Sequence, residues 1–89
     1  MASFLHIRVV TIGGMGSQVH KIEMPGIGTR YDMAGNRAPQ RVSVIVHKDG
    51  RREIYSFEEA STDPTSVIEL TADQARLLGA VLSGSYVND

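Results

Sequence analysis

Short segments in which apolar residues alternate with polar ones, or in which β-branched residues dominate, recur along the chain between glycine, proline and small polar residues. Alternation with a period of two is typical of strands that bury one face. These segments predict a small antiparallel sheet of four to five strands, and its most regular part is a central hairpin over residues 41–57. The other strand candidates are residues 4–12, 19–24, 29–33 and 66–70.

One later segment has the helical period instead. Thr71 followed by Gln74 is the sequence pattern of a capping box, and Gly84 is a typical helix stop. We therefore predict one C-terminal helix over residues 72–83 and an α+β fold in which this helix packs on the sheet. The expected core stripe of the helix consists of Ala75, Leu78, Val81 and Leu82.

Two apolar helix residues, Leu77 and Ala80, lie outside that stripe. Single apolar residues on a protein surface are common, so an incidental position is one explanation. A contact with a second copy of the chain is the alternative, and it makes Leu77 and Ala80 candidates for an oligomer interface.

The length of 89 residues predicts one domain. The quality of the pattern changes near residue 20, so we interpret residues 1–20 as an N-terminal extension or extra strand and residues 21–89 as a single α+β domain. Gly14-x-Gly16 after a β-branched strand is similar to a dinucleotide-binding turn, but the helix that such a turn requires is missing. A small nucleotide-binding protein is therefore the least favoured interpretation.

Composition removes several classes of function. Nine Lys and Arg residues against ten Asp and Glu residues make duplex nucleic acid an unlikely partner, since its affinity rests on many basic residues. The absence of cysteine excludes disulfides, thiol nucleophiles and Cys-based zinc sites. No spacing places a catalytic constellation, so neither catalytic residues nor a cofactor are predicted.

Two turns carry the residues with special backbone requirements. Pro25, Gly26 and Gly28 form a turn that opens a strand, because proline fixes φ and glycine permits positive φ. Asp49 and Gly50 are the expected centre of a two-residue hairpin turn.

The hairpin tip concentrates charge, and the expected two-residue turn decides which charges meet. It places His47 opposite Arg52 and puts Glu53 on the other face. Two positive groups side by side gain nothing, so this pair indicates either an acidic partner or Glu53 reaching around the edge of the hairpin. A metal site is not expected, because the His and carboxylate side chains do not converge.

Four stretches in order, MPGIGTRYD (24–32), VIVHKDGRREIYSF (44–57), DPTS (63–66) and LTADQARLLGAVLSGSY (70–86), carry a more specific signal. Together they resemble the N-terminal domain of the KhtT-type regulatory subunit of bacterial potassium/proton (monovalent cation:proton) antiporters. The resemblance covers about residues 23–86. Gln74 stands where this family usually has Glu, and Gln still serves the capping box.

This resemblance implies a non-enzymatic subunit that works as a cytoplasmic homodimer. It docks peripherally on a membrane antiporter at the inner face of the plasma membrane and gates potassium efflux with pH and ligand. Members normally carry a second, RCK C-terminal (TrkA-C) domain, which in some of them binds a cyclic di-nucleotide. The residues of that domain are not in this sequence, so no such site is expected.

Under this hypothesis a polar surface contacts the transporter or a second copy of the chain. We expect Arg30, His47, Arg51, Arg52 and Glu53 to form it. His47 is the candidate for a pH response, because histidine is the side chain that ordinarily titrates near neutrality. The alternative is a stand-alone homo-oligomer with a different partner.

Overall fold

The computed structural model describes residues 6–11 and 18–85. Its strands are β1 (His6–Thr11), β2 (Gln18–Met24), β3 (Gly28–Ala34), β4 (Arg41–His47), β5 (Arg52–Phe57) and β6 (Ser66–Leu70). One helix, α1 (Ala72–Ser83), follows β6.

The six strands form one antiparallel sheet in which each strand pairs with its neighbours along the chain, in the order β1-β2-β3-β4-β5-β6. The predicted fold class, an antiparallel α+β fold with a C-terminal helix, is confirmed, and the sheet includes more strands than the four to five expected. Residues 12–17, which include Gly14 and Gly16, lie outside the described residues. The division of the chain near residue 20 stays a prediction.

The pairing register divides the side chains of β2–β6 between two faces, because successive residues of a strand point to opposite sides. We call the face that carries the valines of β4 the apolar face and the other one the polar face. The apolar face includes Val19, Tyr31, Met33, Val42, Val44, Val46, Ile54 and Ile68. The polar face includes His20, Arg30, Asp32, Arg41, Ser43, Ile45, His47, Glu53, Tyr55 and Phe57.

Few of the described residues are buried. Val19 and Phe57 are the hydrophobic residues in that class, and they lie on opposite faces of the sheet. Ser43 is the buried polar residue, at 3% exposure. Neither face of the sheet is therefore covered by a second layer within residues 18–85.

The helix forms as predicted but does not pack as predicted. Its capping box is present, with Gln74 N donating to Thr71 Oγ1 at 3.1 Å and Thr71 N donating to Gln74 Oε1 at 2.9 Å. No residue of α1 is buried, and Leu82 of the expected core stripe is 77% exposed. The reason is the junction: Thr71 alone separates β6 from α1, and the cap fixes it in an extended conformation. The helix consequently continues from the edge of the sheet instead of folding back over it.

The β2–β3 turn and the β4–β5 hairpin tip lie side by side at one end of the sheet. Ile27 N donates to Met24 O at 3.0 Å within the first turn, and Lys48 N donates to Ile27 O at 2.9 Å between the two turns. Backbone bonds of this kind fix one turn against the other. The candidate site lies on the polar face next to this end.

Candidate functional site

The hairpin tip has a different turn from the one predicted. Gly50 N donates to His47 O at 3.0 Å, and His47 N donates to Arg51 O at 2.9 Å. The loop therefore has three residues, and Gly50 takes the positive φ of 97° that closes it. A type I turn followed by a left-handed glycine is the common three-residue alternative to the two-residue turn.

This single extra loop residue shifts the register of the hairpin by one position. Val46 pairs with Arg52, and Ile45 pairs with Glu53. The predicted pair of His47 and Arg52 is therefore wrong, because Arg52 lies on the apolar face. The predicted separation of Glu53 from His47 is wrong for the same reason: both lie on the polar face, as diagonal neighbours across β4 and β5.

The centre of the candidate site is a short side-chain contact between His47 and Glu53. His47 Nε2 lies 2.5 Å from Glu53 Oε1, and the two side chains are 14% and 21% exposed. This contact is the main reason why the pKa of Glu53 lies below its ordinary value of 4.5, with a hydrogen bond from Tyr55 adding to it. Partial burial and the Glu53 carboxylate together raise the pKa of Tyr55. The three side chains form one coupled polar group.

Arg51 extends this group to the edge of the sheet. Its Nη1 donates to Glu69 Oε2 at 2.7 Å, which ties the hairpin tip to β6 and raises the pKa of Arg51. Its backbone N donates to Asp49 Oδ1 at 3.0 Å, and this bond is the main cause of the lowered pKa of Asp49. The pattern is that of an Asx turn, which stabilises the loop locally. Arg51 thus links two acidic residues, Asp49 and Glu69, at the hairpin tip.

Arg30 belongs to a second polar group on the same face. Its Nε donates to Asp32 Oδ1 at 2.7 Å, and the buried hydroxyl of Ser43 donates to the same oxygen at 2.6 Å. Asp32 is therefore held by β3 and β4 together. The Arg30 side chain is 40% exposed and is therefore accessible to a partner.

A hollow of about 380 Å³ opens beside Arg30 on the polar face. Arg41 lines it, and the Arg41 guanidinium lies 4.2 Å from the centroid of the Phe57 ring and donates to the carbonyl oxygens of Glu59 and Ser61. These bonds hold the β5–β6 loop against the sheet. Tyr55 and Ser43 contribute hydroxyl groups to the same wall.

The structure thus brings together four of the five residues that the sequence suggested for partner contact. Arg30, His47, Arg51 and Glu53 lie on the polar face or at its tip, while Arg52 lies on the apolar face and donates to Gly50 O. Sequence reasoning missed the polar residues that hold them, which are Asp32, Ser43, Tyr55 and Glu69. Gly at the third position of Lys48-Asp49-Gly50 was the available signal, because it permits the three-residue loop that sets the register.

The other predicted residues are positioned as follows. Pro25 and Gly26 lie in the β2–β3 turn, where Gly26 has a φ of 83°. Gly28 opens β3 opposite His47. Leu77 is 56% exposed, and Ala80 is half-buried beside the helix end.

The lowered pKa of Glu53 gives a prediction for acid stability. A carboxyl group whose pKa is depressed on folding stabilises the fold fully above its unfolded pKa, and that contribution is lost as the pH falls through the folded pKa. We expect wild type to melt above Glu53→Gln at pH 6, with the difference shrinking below about pH 4.5. Thermal unfolding of both proteins between pH 3 and pH 6 tests this, and a constant difference across that range would contradict it.

The described residues contain neither a metal-binding cluster nor a helix that could span a membrane. No group of three or more His, Cys, Asp or Glu side chains converges within residues 6–11 and 18–85 in a way that could hold a metal ion. In the same residues, no helix is both long and apolar enough to cross a membrane. The features of the polar face that a partner could contact are therefore its paired charged side chains and its hollow.

Comparison with known proteins agrees with the sequence motifs. The chain is 38% identical over 63 residues to the K(+)/H(+) antiporter subunit KhtT of Bacillus subtilis, covering 70% of this chain and 38% of that protein. It is 30% identical over 67 residues to the ammonium/H(+) antiporter subunit AmhM of Alkalihalophilus pseudofirmus, covering 74% and 40%. It is also 35% identical over 68 residues to the Bacillus subtilis protein YrvC, covering 75% and 41%. The chain therefore spans about two fifths of the length of these relatives.

A family model described as the N-terminal domain of the K(+)/H(+) antiporter subunit KhtT matches residues 17–86. That range contains β2–β6, α1 and both polar groups of the candidate site. The match confirms the resemblance drawn from the ordered motifs. The chain belongs to the KhtT N-terminal domain family.

Proposed function

We propose that this chain is a non-enzymatic regulatory module of a monovalent cation/proton antiporter, and that its polar face contacts the transporter from the cytoplasmic side of the plasma membrane. The observation that carries the proposal is the His47–Glu53 pair, a titratable contact at 2.5 Å on the face that also holds Arg30 and Arg51. Family membership supports the choice of partner, since two relatives are named as subunits of such antiporters.

The chemistry of the polar face favours contact over catalysis. His47 is engaged with Glu53, Arg51 with Glu69, and Arg30 with Asp32. Side chains that satisfy one another in this way fix a pattern of charge on a rigid sheet. Such a pattern gives a partner orientation and specificity.

The same pair provides a route for pH to act on the contact. Histidine ordinarily changes its charge between about pH 5 and pH 8. Protonated His47 and ionised Glu53 make a charged pair, whereas neutral His47 leaves the negative charge of Glu53 uncompensated. The charged groups around this pair are Asp49, Arg51, Glu69, which is the register partner of Glu53 on β6, and, across Tyr55, Arg30. We infer that the net charge presented to the transporter changes with pH at this point.

A binding experiment with a charge-matched control tests the proposal. The antiporter encoded nearest to this chain is purified in detergent, and its affinity for the full chain is measured. We expect wild type to bind and Arg51→Gln to bind about tenfold more weakly, because Arg51 lies at the tip of the polar face and is 46% exposed.

Arg76→Gln is the control, since Arg76 is likewise an exposed arginine paired with an exposed carboxylate, that of Asp73 on the helix. Exposed pairs contribute little to stability, so both variants should melt within a few degrees of wild type. Equal loss of binding in the two variants would remove the polar face from the contact, and no binding by wild type would overturn the proposed function.

A further inference from the structure

The hollow on the polar face is built like a binding site for a small molecule. Its volume of about 380 Å³ is within the range of ordinary ligand pockets. The apolar part of its wall comes from Ile45, Phe57 and Pro64, and Phe57 is 6% exposed. Pockets for small molecules are mostly apolar and carry a few placed polar groups, and the charged groups of this one are Arg30 and Arg41.

The charges around the hollow leave one positive charge uncompensated. Arg30 forms an ion pair with Asp32 at 2.7 Å, so these two residues together carry no net charge. Arg41 makes no ion pair with any carboxylate in the part of the chain that the structure describes. Its two terminal nitrogens donate to backbone carbonyl oxygens, and its guanidinium lies over the ring of Phe57. The hollow therefore favours an occupant with a single negative charge.

The two hydroxyl groups of the sheet wall are already engaged. Ser43 donates to Asp32 at 2.6 Å, and Tyr55 forms a hydrogen bond with Glu53. Recognition of an occupant therefore depends on the guanidinium groups. Arg30 uses its Nε for Asp32 and carries further N–H donors on its terminal nitrogens. A planar guanidinium of this kind matches the geometry of a carboxylate.

The β5–β6 loop forms the outer wall of the hollow and is held in place. Thr62 and Pro64 line the hollow, whereas Asp63 between them does not. Arg41 donates to two carbonyl oxygens earlier in the same loop. The cation that would attract an anion thus also fixes the wall that encloses it. A wall that is ordered before the ligand arrives lowers the entropic cost of binding.

We propose that this hollow binds a small organic monoanion, a carboxylate with an apolar body. The carboxylate lies beside Arg30 and Arg41, and the apolar body packs against Ile45, Phe57 and Pro64. A phosphate dianion fits less well, because the hollow supplies one uncompensated positive charge and an apolar wall. Phosphate sites are ordinarily built from several backbone N–H groups instead.

This inference goes beyond the antiporter role and does not depend on it, because the isolated chain contains every residue of the hollow. An occupant beside Arg30 would change the charge that a partner meets on the polar face. Loss of anion binding would leave the transporter contact tested with Arg51→Gln standing, so the two proposals fail separately.

Benzoate is the probe that tests the ligand class, since it is a flat carboxylate on an apolar ring. Titrated into the isotope-labelled full chain at neutral pH, it should shift the NMR amide signals of Ser43, Phe57 and Thr62 with a dissociation constant on the order of 1 mM. Benzamide, which has the same ring without the charge, and inorganic phosphate should each bind about tenfold more weakly or worse. Failure of benzoate to bind at about 10 mM, or binding of benzamide or phosphate as tight as that of benzoate, would overturn the proposal.

Two variants that add the same negative charge test the position of the ligand. Thr62 lines the hollow and is exposed, so Thr62→Glu should fold normally, repel benzoate and weaken its binding about tenfold. Gly79 lies on α1, where an added Cβ would meet no atom within 4 Å, so Gly79→Glu should bind benzoate as wild type does. Equal affinity of the two variants for benzoate would place the anion outside the hollow and overturn the proposal.

Discussion

Gly28→Ala is expected to destabilise the fold more than any other substitution that adds a single methyl group to this sheet. A Cβ at residue 28 would lie 2.0 Å from Val46 O and 2.9 Å from His47 Cα, both backbone atoms of β4. The positive φ of 154° adds strain for any residue with a side chain. Overpacking and strain together should lower the free energy of unfolding by about 2–5 kcal/mol. For a domain of this size the melting temperature should fall by at least about 10 °C.

Gly26→Ala is the matched control, because it adds the same methyl group in the same turn. Its φ of 83° is also positive, but no atom lies within 4 Å of the added Cβ. Only the conformational cost remains, which is about 1–2 kcal/mol. Thermal or urea unfolding of both variants separates the two effects. If Gly28→Ala were no less stable than Gly26→Ala, the close approach of β3 and β4 at the candidate site would be wrong.

His47→Gln is expected to have the largest effect on function. Glutamine can still donate a hydrogen bond to Glu53, but it does not change its charge with pH. A regulated antiporter should therefore keep its activity with the variant and lose most of the pH dependence that the chain confers between about pH 5 and pH 8. Cation/proton exchange in membrane vesicles, measured across that range with wild type and with the variant, provides the comparison.

His20→Gln is the control for this experiment. His20 lies on the same polar face, on β2, and is exposed. Its replacement removes a histidine without touching the pair with Glu53. We expect the pH profile of His20→Gln to match wild type, and an unchanged profile for His47→Gln would remove His47 from the pH response.

The strands and the helix could be predicted from the sequence because their signals are local. β-branched alternation marked β4 and β5, and Thr71 with Gln74 marked the helix start, so the observed bounds lie within one or two residues of those expected. The family could also be predicted, because several ordered motifs point to it together. All of them lie within residues 17–86, the range that the family model matches.

The partners of the site residues could not be predicted, because they depend on one backbone hydrogen bond. Asp49-Gly50 fits a two-residue turn and a three-residue loop almost equally well by composition. The bond from Gly50 N to His47 O selects the second, and every residue after it changes face relative to β4. Glu53 therefore meets His47, and Arg52 does not.

The position of the helix relative to the sheet could not be predicted from the sequence, for a different reason. Ala75, Leu78, Val81 and Leu82 show that the helix has an apolar side, but not which surface covers it. The length and the capping of the junction at Thr71 decide that question. In this chain they point the stripe away from its own sheet.

Regulation of an antiporter by this chain would appear as a change in the rate of cation/proton exchange. Cation/proton exchange by the antiporter is recorded in inside-out vesicles, in which the cytoplasmic face is accessible, before and after the purified full chain is added at pH 6, 7 and 8. We expect the chain to change the exchange rate, and we expect the size of this change to depend on pH. Exchange that is the same with and without the chain at every pH, although the chain is bound, would contradict it.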